Sequence, residues 1–183
     1  MDIIEFKKYK TTENLMQYIH NSREKAYQIK SLTDKLFEYF LVFNKNSDLD
    51  LETYNVAEIL PQLLEEELFM LSAEGFTFDY TPCSDVAYWD INLISIRRVF
   101  DNIFSNILKY GDKSTPIKIL CHIKENDLII TIENKINSNL KSVNSTGIGL
   151  KTCNKIIQMH SGNLLTEKIN DSFKIVLKFA IHS

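Results

Sequence analysis

The sequence is poor in cysteine, and it has no long apolar run. Its 183 residues include only three cysteines, Cys83, Cys121 and Cys153, which are far apart and form no CxxC pair. An odd, dispersed set of this kind favours a reducing compartment, with each thiol buried as a small hydrophobic group. No apolar stretch approaches the roughly 20 residues that cross a bilayer, and we recognise no signal peptide. We therefore expect the chain as given to be soluble, with any membrane anchor elsewhere in a longer parent protein.

The sequence also lacks an excess of charge of one sign. The formal net charge is −3, and lysines alternate with acidic residues instead of forming blocks. This pattern is typical of a solvated surface, and it gives no electrostatic reason to expect nucleic acid or an anionic membrane as the main partner. Hydrophobic residues nevertheless make up 44% of the chain, which is enough for a sizeable core. We expect one domain of ordinary size with a helical extension.

A long helix is predicted over residues 13–43, after a capping pair of threonines at 11 and 12. A mostly apolar row recurs in it with heptad spacing, and its members are Ile19, Ala26, Thr33 and Phe40, with Ser22, Ile29 and Leu36 between them. Such a seam is typical of a helix in a hairpin or a dimeric bundle, although an amphipathic helix packed on its own domain gives a similar pattern. The polar segment 44–48 breaks the periodicity, and we place a domain boundary there.

Beyond this boundary the chain alternates between strand and helix patterns. Helices are predicted over residues 57–74, 94–110 and 149–160, where apolar residues recur with helical spacing. Strands are predicted over residues 51–56, 76–81, 86–89, 117–123, 128–133, 163–168 and 173–181, the last four as two hairpins. Helices interspersed with mostly antiparallel strands predict an α+β fold, a two-layer sandwich in which one sheet is covered on one face by helices.

Polar residues share one face of the helix predicted over residues 94–110. Asn102, Asn106, Lys109 and Tyr110 stand at positions i, i+4, i+7 and i+8, while apolar residues fill the other faces. Two amides, a cation and a phenol in a row could bind a phosphate-bearing ligand, and an asparagine oxygen can ligate Mg²⁺. Taken alone, the same face could be the solvated side of a surface helix.

Two of the five glycines, Gly147 and Gly149, open the helix predicted over residues 149–160. Glycine lets the backbone approach a ligand closely, and the first N–H groups of the helix, with its dipole, would then point at an anion. Ordinary turn glycines give the same pattern, so the pair alone is weak support. Asn134 ends the strand before this segment, where its side chain could read the edge of a base.

Taken in this order, these residues resemble the nucleotide-binding motifs of sensor histidine kinases. Residues 102–110 resemble the N box, whose usual form is N-L-L-x-N-A-x-K-Y. Residues 146–150 resemble the glycine box G-T-G-L-G-L, and the helix and the turn at His160 and Gly162 resemble those that follow it. Asn134 occupies the first position of the G1 box. The resemblance covers residues 50–183 and implies the Bergerat ATP-binding fold, which gyrases and heat-shock chaperones of the ninety-kilodalton class share.

The resemblance implies a role for each matched residue. Asn106 would ligate Mg²⁺, Asn102 would contact phosphate or the waters of the metal, and Lys109 would neutralise phosphate charge. Asn102 and Lys109 would thus be the catalytic residues. Tyr110 would pack near the nucleotide, and Asn134 would accept a hydrogen bond from adenine. The phosphate-binding segment would comprise Thr146, Gly147, Ile148, Gly149 and Leu150, with residues 135–146 as a short ATP lid.

The sequence departs from the family pattern at the G1 box. This box normally reads D-x-G-x-G, and its aspartate accepts a hydrogen bond from the adenine amino group. Residues 134–138 have neither the aspartate nor the glycines. Because Asn134 keeps an acceptor oxygen and loses only charge assistance, on the order of 1 kcal/mol, we expect weaker ATP binding and not its loss.

The resemblance also assigns the parts of the chain. It implies that residues 1–44 are partial dimerisation and histidine-phosphotransfer helices, 45–50 a linker, and 51–183 the ATP-binding catalytic domain. None of the four histidines lies in the phosphoacceptor motif H-[E/D]-x-[R/K]-x-P, so we expect the acceptor outside this chain. Structural or solvated roles are expected for all four, which are His20, His122, His160 and His182.

The leading hypothesis is the catalytic portion of a two-component sensor histidine kinase, a cytoplasmic part of a membrane-bound parent. With ATP and Mg²⁺ it would transfer the γ-phosphoryl group to a histidine of the kinase, for relay to a response regulator. The full-length kinase would be a homodimer. Two alternatives stay open: a degenerate nucleotide-site module that acts by protein contact, and an anti-sigma serine kinase of the same superfamily, which would have no need of the helix over residues 13–43.

Overall fold

The computed structural model describes residues 12–44, 49–137 and 147–182, and the chain divides into two compact units, Met1–Asn44 and Lys45–Ser183. In the first unit, helix α1 spans Thr12–Asn44, as the heptad spacing predicts. Three large apolar side chains of the predicted seam are exposed, those of Ile19, Ile29 and Leu36. An exposed apolar row is typical of a helix that packs against a partner. Residues 45–48 of the predicted boundary segment lie outside the described residues.

The described residues of the second unit form three helices and seven strands. The helices are α2 (Val56–Ala73), α3 (Leu93–Tyr110) and α4 (Ile148–Met159). The strands are β1 (Glu52–Asn55), β2 (Phe78–Thr81), β3 (Tyr88–Ile91), β4 (Ile117–Lys124), β5 (Asp127–Lys135), β6 (Asn163–Ile169) and β7 (Ser172–Ala180). Each element predicted from the sequence is present, and each of its ends lies within two residues of the predicted position.

Asparagine caps define where two of the helices begin. The side-chain oxygen of Asn55 accepts the N–H of Ala57 at 3.0 Å before α2, and that of Asn92 accepts the N–H of Ser95 at 3.0 Å before α3. Such caps satisfy backbone donors that have no partner inside the helix. Helix α2 ends before Gly75, whose φ of +87° reverses the chain at little steric cost.

The strands form two separate sheets. A five-stranded sheet has the order β2–β4–β5–β7–β6, with β2 parallel to β4 and the other pairs antiparallel, while β1 and β3 form a two-stranded antiparallel sheet. The sequence predicted the strands β2 and β3 without assigning their partners. They belong to different sheets, and the segment between them is anchored by the buried side chains of Cys83 and Ala87.

One face of the large sheet is buried beneath the helices, so the fold is the two-layer α+β sandwich that the sequence predicts. Alternate residues of the central strands are buried on this inner face, namely Ile117, Ile119 and Cys121 of β4, Leu128, Ile130 and Ile132 of β5, and Ile175, Leu177 and Phe179 of β7. The three cysteines are buried and free, as predicted. Among the helices of the described ranges, none combines the length and apolar character needed to cross a membrane.

The outer face of the large sheet carries a row of alternating charges. Five residues are paired in register across all five strands, in the order Asp79, Lys118, Glu133, Lys174 and Glu167. Opposite charges directly across neighbouring strands stabilise a sheet modestly and keep its open face hydrated. A concavity of about 400 Å³ lies on this face beside the β6–β7 turn.

Candidate functional site

Helix α3 presents the polar face that the sequence predicts. Asn102, Asn106 and Tyr110 are half-buried, and Lys109 is exposed. The Nδ2 atom of Asn102 donates to the carbonyl oxygen of Arg98 at 2.9 Å, which holds this side chain against its own helix. The adjacent face of α3 is buried in the domain core through residues such as Val99 and Ile103. The two amides therefore lie on a fixed helix, at the border between core and solvent.

Helix α4 begins at the glycine pair. Gly147 is its N-cap residue, with a φ of +63° in the left-handed region, and no side chain of the described residues caps the first turn. Its first backbone N–H groups thus lack the partner that a capping side chain supplies elsewhere, and they carry the positive end of the helix dipole. Ile148, Gly149 and Leu150 form this first turn and are half-buried. Thr146, also predicted to bind phosphate, lies outside the described residues.

Helices α3 and α4 run antiparallel and meet at three levels. A Cβ atom added to Gly149 would come within 2.9 Å of Oδ1 of Asn102. One turn further along, Sγ of Cys153 lies 3.7 Å from the carbonyl oxygen of Val99. At the far end, the backbone N–H of Asn92 donates to the ring of His160. The structure therefore brings together the amide face and the glycine turn, which the sequence could only place on separate helices.

Asn134 lies on the inner face of the sheet, at the end of β5. It is 7% exposed, and its Nδ2 atom donates to the carbonyl oxygen of Lys135 at 2.7 Å. The same end of β5 is bonded to the end of α3, because the N–H of Asn137 donates to the carbonyl oxygen of Tyr110 at 2.8 Å. Asn134 and Tyr110 therefore lie at the same end of the domain. The oxygen of the Asn134 amide is the atom that can accept a donor.

The concavity on the outer face of the sheet is separate from the amide face and the glycine turn. Glu133 and Lys135 line it, together with Glu167 and Lys174. Side chains of successive strand residues point to opposite faces, so Asn134 faces away from it. Its acidic and basic groups lie close to one another in the row of alternating charges, and the amide face and glycine turn are on the other side of the sheet.

Sequence reasoning missed the contact that His160 makes. The sequence predicted a structural or solvated residue there, and the structure shows a buried ring, 6% exposed, at the C-cap of α4. Its partner Asn92 is 68 residues earlier in the chain. The only sequence signal was the position of this histidine at the turn after the glycine helix. His20 and His122 are exposed on α1 and β4, and His182 lies beyond β7 beside the carboxylate of Asp90.

Comparison with known proteins gives the family. Residues 91–181 match the model of histidine kinase-, DNA gyrase B- and HSP90-like ATPases. The chain is 33% identical over 163 residues to the sensor histidine kinase YrkQ of Bacillus subtilis (strain 168), a match that covers 89% of this chain and 38% of that protein. At 20% identity over 191 residues it also matches the sensor protein kinase WalK of Staphylococcus saprophyticus, covering 92% of this chain and 31% of that protein.

Solved structures share the fold. Histidine kinase AdeS of Acinetobacter baumannii aligns with a TM-score of 0.70 at 17% identity, over 98% of this chain and 90% of that one. The fold and the family match together define an ATPase domain. The chain belongs to the histidine kinase-, gyrase B- and HSP90-like ATPase family, and its domain is of the sensor histidine kinase type. The chain spans about two fifths of the length of YrkQ and less than a third of the length of WalK.

Proposed function

We propose that this chain is the catalytic part of a sensor histidine kinase that binds ATP with Mg²⁺ and supplies the γ-phosphoryl group to a histidine elsewhere in the kinase. The observation that carries the proposal is the close approach of Gly149 to Asn102. The narrow gap between Gly149 and Asn102 has no room for a side chain, so the amide lies directly against the first turn of α4. The uncapped backbone N–H groups of that turn border the same place, and donors of this kind suit phosphate oxygens.

The residues at this gap also suit a magnesium ion. Magnesium prefers oxygen ligands and usually shares them with substrate phosphates, and an asparagine oxygen is such a ligand. Asn106 lies one turn beyond Asn102 on the same face of α3, half-buried. It would hold the ion, and Asn102 would contact phosphate or the waters of the ion. When bound, the ion would neutralise phosphate charge.

The remaining matched residues would hold the two ends of the nucleotide. Lys109 would add positive charge beside the phosphates, and Tyr110 would pack against the nucleotide near the end of β5. Asn134 would accept a hydrogen bond from the adenine amino group at its oxygen, while its nitrogen donates to the carbonyl oxygen of Lys135. An aspartate would add charge assistance to that hydrogen bond, so its replacement here weakens base binding and does not abolish it.

Catalysis in this site would consist of positioning and charge neutralisation. The imidazole nitrogen of the acceptor histidine would form a bond to the γ-phosphorus as the bond to the β,γ-bridging oxygen breaks, and ADP would leave. The four histidines of this chain lie outside the expected acceptor motif, and His160 is engaged in the fold. The acceptor would therefore belong to the rest of the kinase.

The wider setting is part of the same proposal. YrkQ and WalK are named sensor kinases. The histidine kinase ThkA has been solved in complex with the response regulator protein TrrA, and it aligns here with a TM-score of 0.68 at 21% identity over 97% of this chain and 55% of that one. By analogy, the parent of this chain would be a membrane-bound homodimer that passes the phosphoryl group to a response regulator. The exposed apolar row of α1 supports a partner helix.

Calorimetric titration with Mg-ATP tests the nucleotide site. The wild-type protein should bind, and Asn106→Ala should weaken binding by about tenfold or more, because it removes an oxygen ligand from a preorganised site. The matched control is Asn126→Ala, which truncates the same type of side chain in the exposed β4–β5 turn. Removing Mg²⁺ with a chelator should weaken wild-type binding far more than binding by Asn106→Ala.

A second function is favoured by the altered G1 position. If the loss of the carboxylate at Asn134 has abolished nucleotide binding, the domain would act by protein contact alone. A folded wild-type protein that shows no heat of binding with Mg-ATP at millimolar concentration would support that alternative and contradict the kinase proposal. Restoring the carboxylate with Asn134→Asp should strengthen ATP binding if the site is functional.

A further inference from the structure

The ring of His160 is held in one neutral form by its two neighbours. The backbone N–H of Asn92 lies 3.1 Å from Nε2, and the carbonyl oxygen of Ile156 lies 2.7 Å from Nδ1. A backbone N–H can only donate, so Nε2 must accept and the proton must be on Nδ1, from which it is donated to Ile156. Burial lowers the pKa of His160 while the Ile156 carbonyl raises it, and the net lowering agrees with a neutral ring.

This ring joins the two helices that carry the proposed site. Asn92 is the N-cap of α3, and His160 is the C-cap of α4. Gly149 and Asn102 meet at the opposite end of the same antiparallel pair, about 15 Å away at a rise of about 1.5 Å per residue. Helices of this length act as rigid rods, so a contact at one end limits how far α4 can slide along α3 at the other.

We infer that His160 is a positioning residue for the nucleotide site, because its ring fixes the axial position of α4 on α3 and thereby the gap between Gly149 and Asn102. The inference rests on the proposed function. A displacement of the order of 1 Å in a site of this kind can reduce its performance severely. The acceptor atom at Nε2 is the part of the ring that matters, since it alone bonds to α3.

Three substitutions separate the acceptor from the rest of the ring. His160→Gln keeps an oxygen acceptor near the position of Nε2, His160→Asn keeps only a donor near Nδ1, and His160→Phe keeps neither. We expect the Asn and Phe variants to bind Mg-ADP at least about fivefold more weakly than wild type. The Gln variant should bind within about twofold of wild type, which a residue that only fills space would not predict.

A control and a second readout distinguish positioning from loss of stability. Ile130→Val removes a methyl group from the core of the central strand β5, away from the α3–α4 contact, and should lower the thermal midpoint without changing Mg-ADP affinity. Hydrogen exchange should show faster exchange of the Asn92 amide in the Asn and Phe variants, and wild-type protection in the Gln variant.

The outcomes are distinct. Wild-type affinity in His160→Asn, or equal weakening in Ile130→Val at a matched thermal midpoint, would overturn the inference and leave the proposed function standing. Failure of the Gln variant to recover both affinity and Asn92 protection would also overturn it. If the wild-type protein binds no Mg-ADP although the Asn92 amide is protected, the proposed function itself is wrong, and the inference falls with it.

Discussion

Helix α3 meets its two neighbouring helices in different ways. On the α4 side the contacts are a close approach to glycine, a thiol beside a carbonyl, and a buried imidazole that accepts a backbone N–H. On the α2 side, a guanidinium nitrogen of Arg97 lies 3.4 Å from a carboxylate oxygen of Glu66. The side chains of Glu67 and Asp101 form a hydrogen bond. Positions 92, 99 and 102 fall on one side of α3, and 97 and 101 on the other, at 100° per residue.

The contacts of α3 with α4 depend on close packing, whereas those with α2 depend on charge. The contacts with α4 are close and uncharged, and Asn102, Asn106 and Gly149, which we assign to phosphate and metal, lie along this side. The contacts on the α2 side are charged and partly exposed, so solvent screens them and their contribution to stability changes with pH. We therefore expect changes on the α4 side to alter nucleotide binding, and changes on the α2 side to alter stability only.

The largest effect is expected from Gly149→Ala. The new methyl group would meet Oδ1 of Asn102 at 2.9 Å, and Asn102 would have to leave its hydrogen bond to Arg98. Because the obstructing atom ends a side chain, the fold should survive, while Mg-ATP affinity should fall by about tenfold or more. Calorimetry measures this, with the exposed Gln158→Ala on the same helix as control. Unchanged affinity would show that the close approach of Gly149 to Asn102 plays no part in nucleotide binding.

Glu67→Gln tests the α2 side by pH. Burial, with a hydrogen bond to Asp101, raises the pKa of Glu67 from 4.5 to about 7. The folded state therefore holds this proton more tightly than the unfolded state, and the resulting stabilisation is full below pH 4.5 and is lost as pH rises through about 7. The glutamine variant cannot lose a proton, so its stability relative to wild type should increase between pH 5 and 8.

Urea denaturation at pH 5 and pH 8 measures this effect. The control is Glu65→Gln, a change of the same type at an exposed position of α2. A parallel pH dependence in Glu67→Gln and wild type would mean that the Glu67–Asp101 contact does not hold a proton. Mg-ATP affinity should be the same in both proteins, and a difference would contradict the expectation that changes on the α2 side alter stability only.

The smallest effect is expected from Arg97→Ala. The side chains of Arg97 and Glu66 are 44% and 76% exposed, so water and salt screen their ion pair. Exposed pairs of this kind contribute about 0.5 kcal/mol or less to the free energy of unfolding. Denaturation in low and high salt measures it, and a loss above about 1 kcal/mol would show that the α2 side is more tightly organised than its exposure indicates.

The sequence predicted the elements of the fold well, and their assembly less completely. Helices α3 and α4 have strong apolar periodicity, and the β4–β5 and β6–β7 hairpins have short turns, so local pattern was enough. The parallel pairing of β2 with β4 and the separate β1–β3 sheet were not assigned, because β2 and β3 each have only four residues and their partners are distant in the chain.

The candidate site was also predicted only in part from the sequence. Helical spacing placed Asn102 and Asn106 on one face without any knowledge of the fold, because that spacing is local. The bond from Asn92 to His160 joins residues 68 positions apart, and the orientation of the Asn134 amide depends on a backbone carbonyl. No local pattern encodes either one. The roles assigned to all of the site residues, Lys109, Tyr110 and Thr146 among them, remain predictions from the resemblance.

The row of charges on the outer face has a consequence at the two edges of the sheet. Its outermost members, Asp79 on β2 and Glu167 on β6, are both acidic, although the row alternates between them. If the β2 edge of one molecule paired with the β6 edge of another at the register that continues the row, two carboxylates would stand side by side. Like charges oppose such pairing. An odd number of strands thus gives the open sheet two mutually repelling ends, which discourages this chain from extending its sheet into a filament.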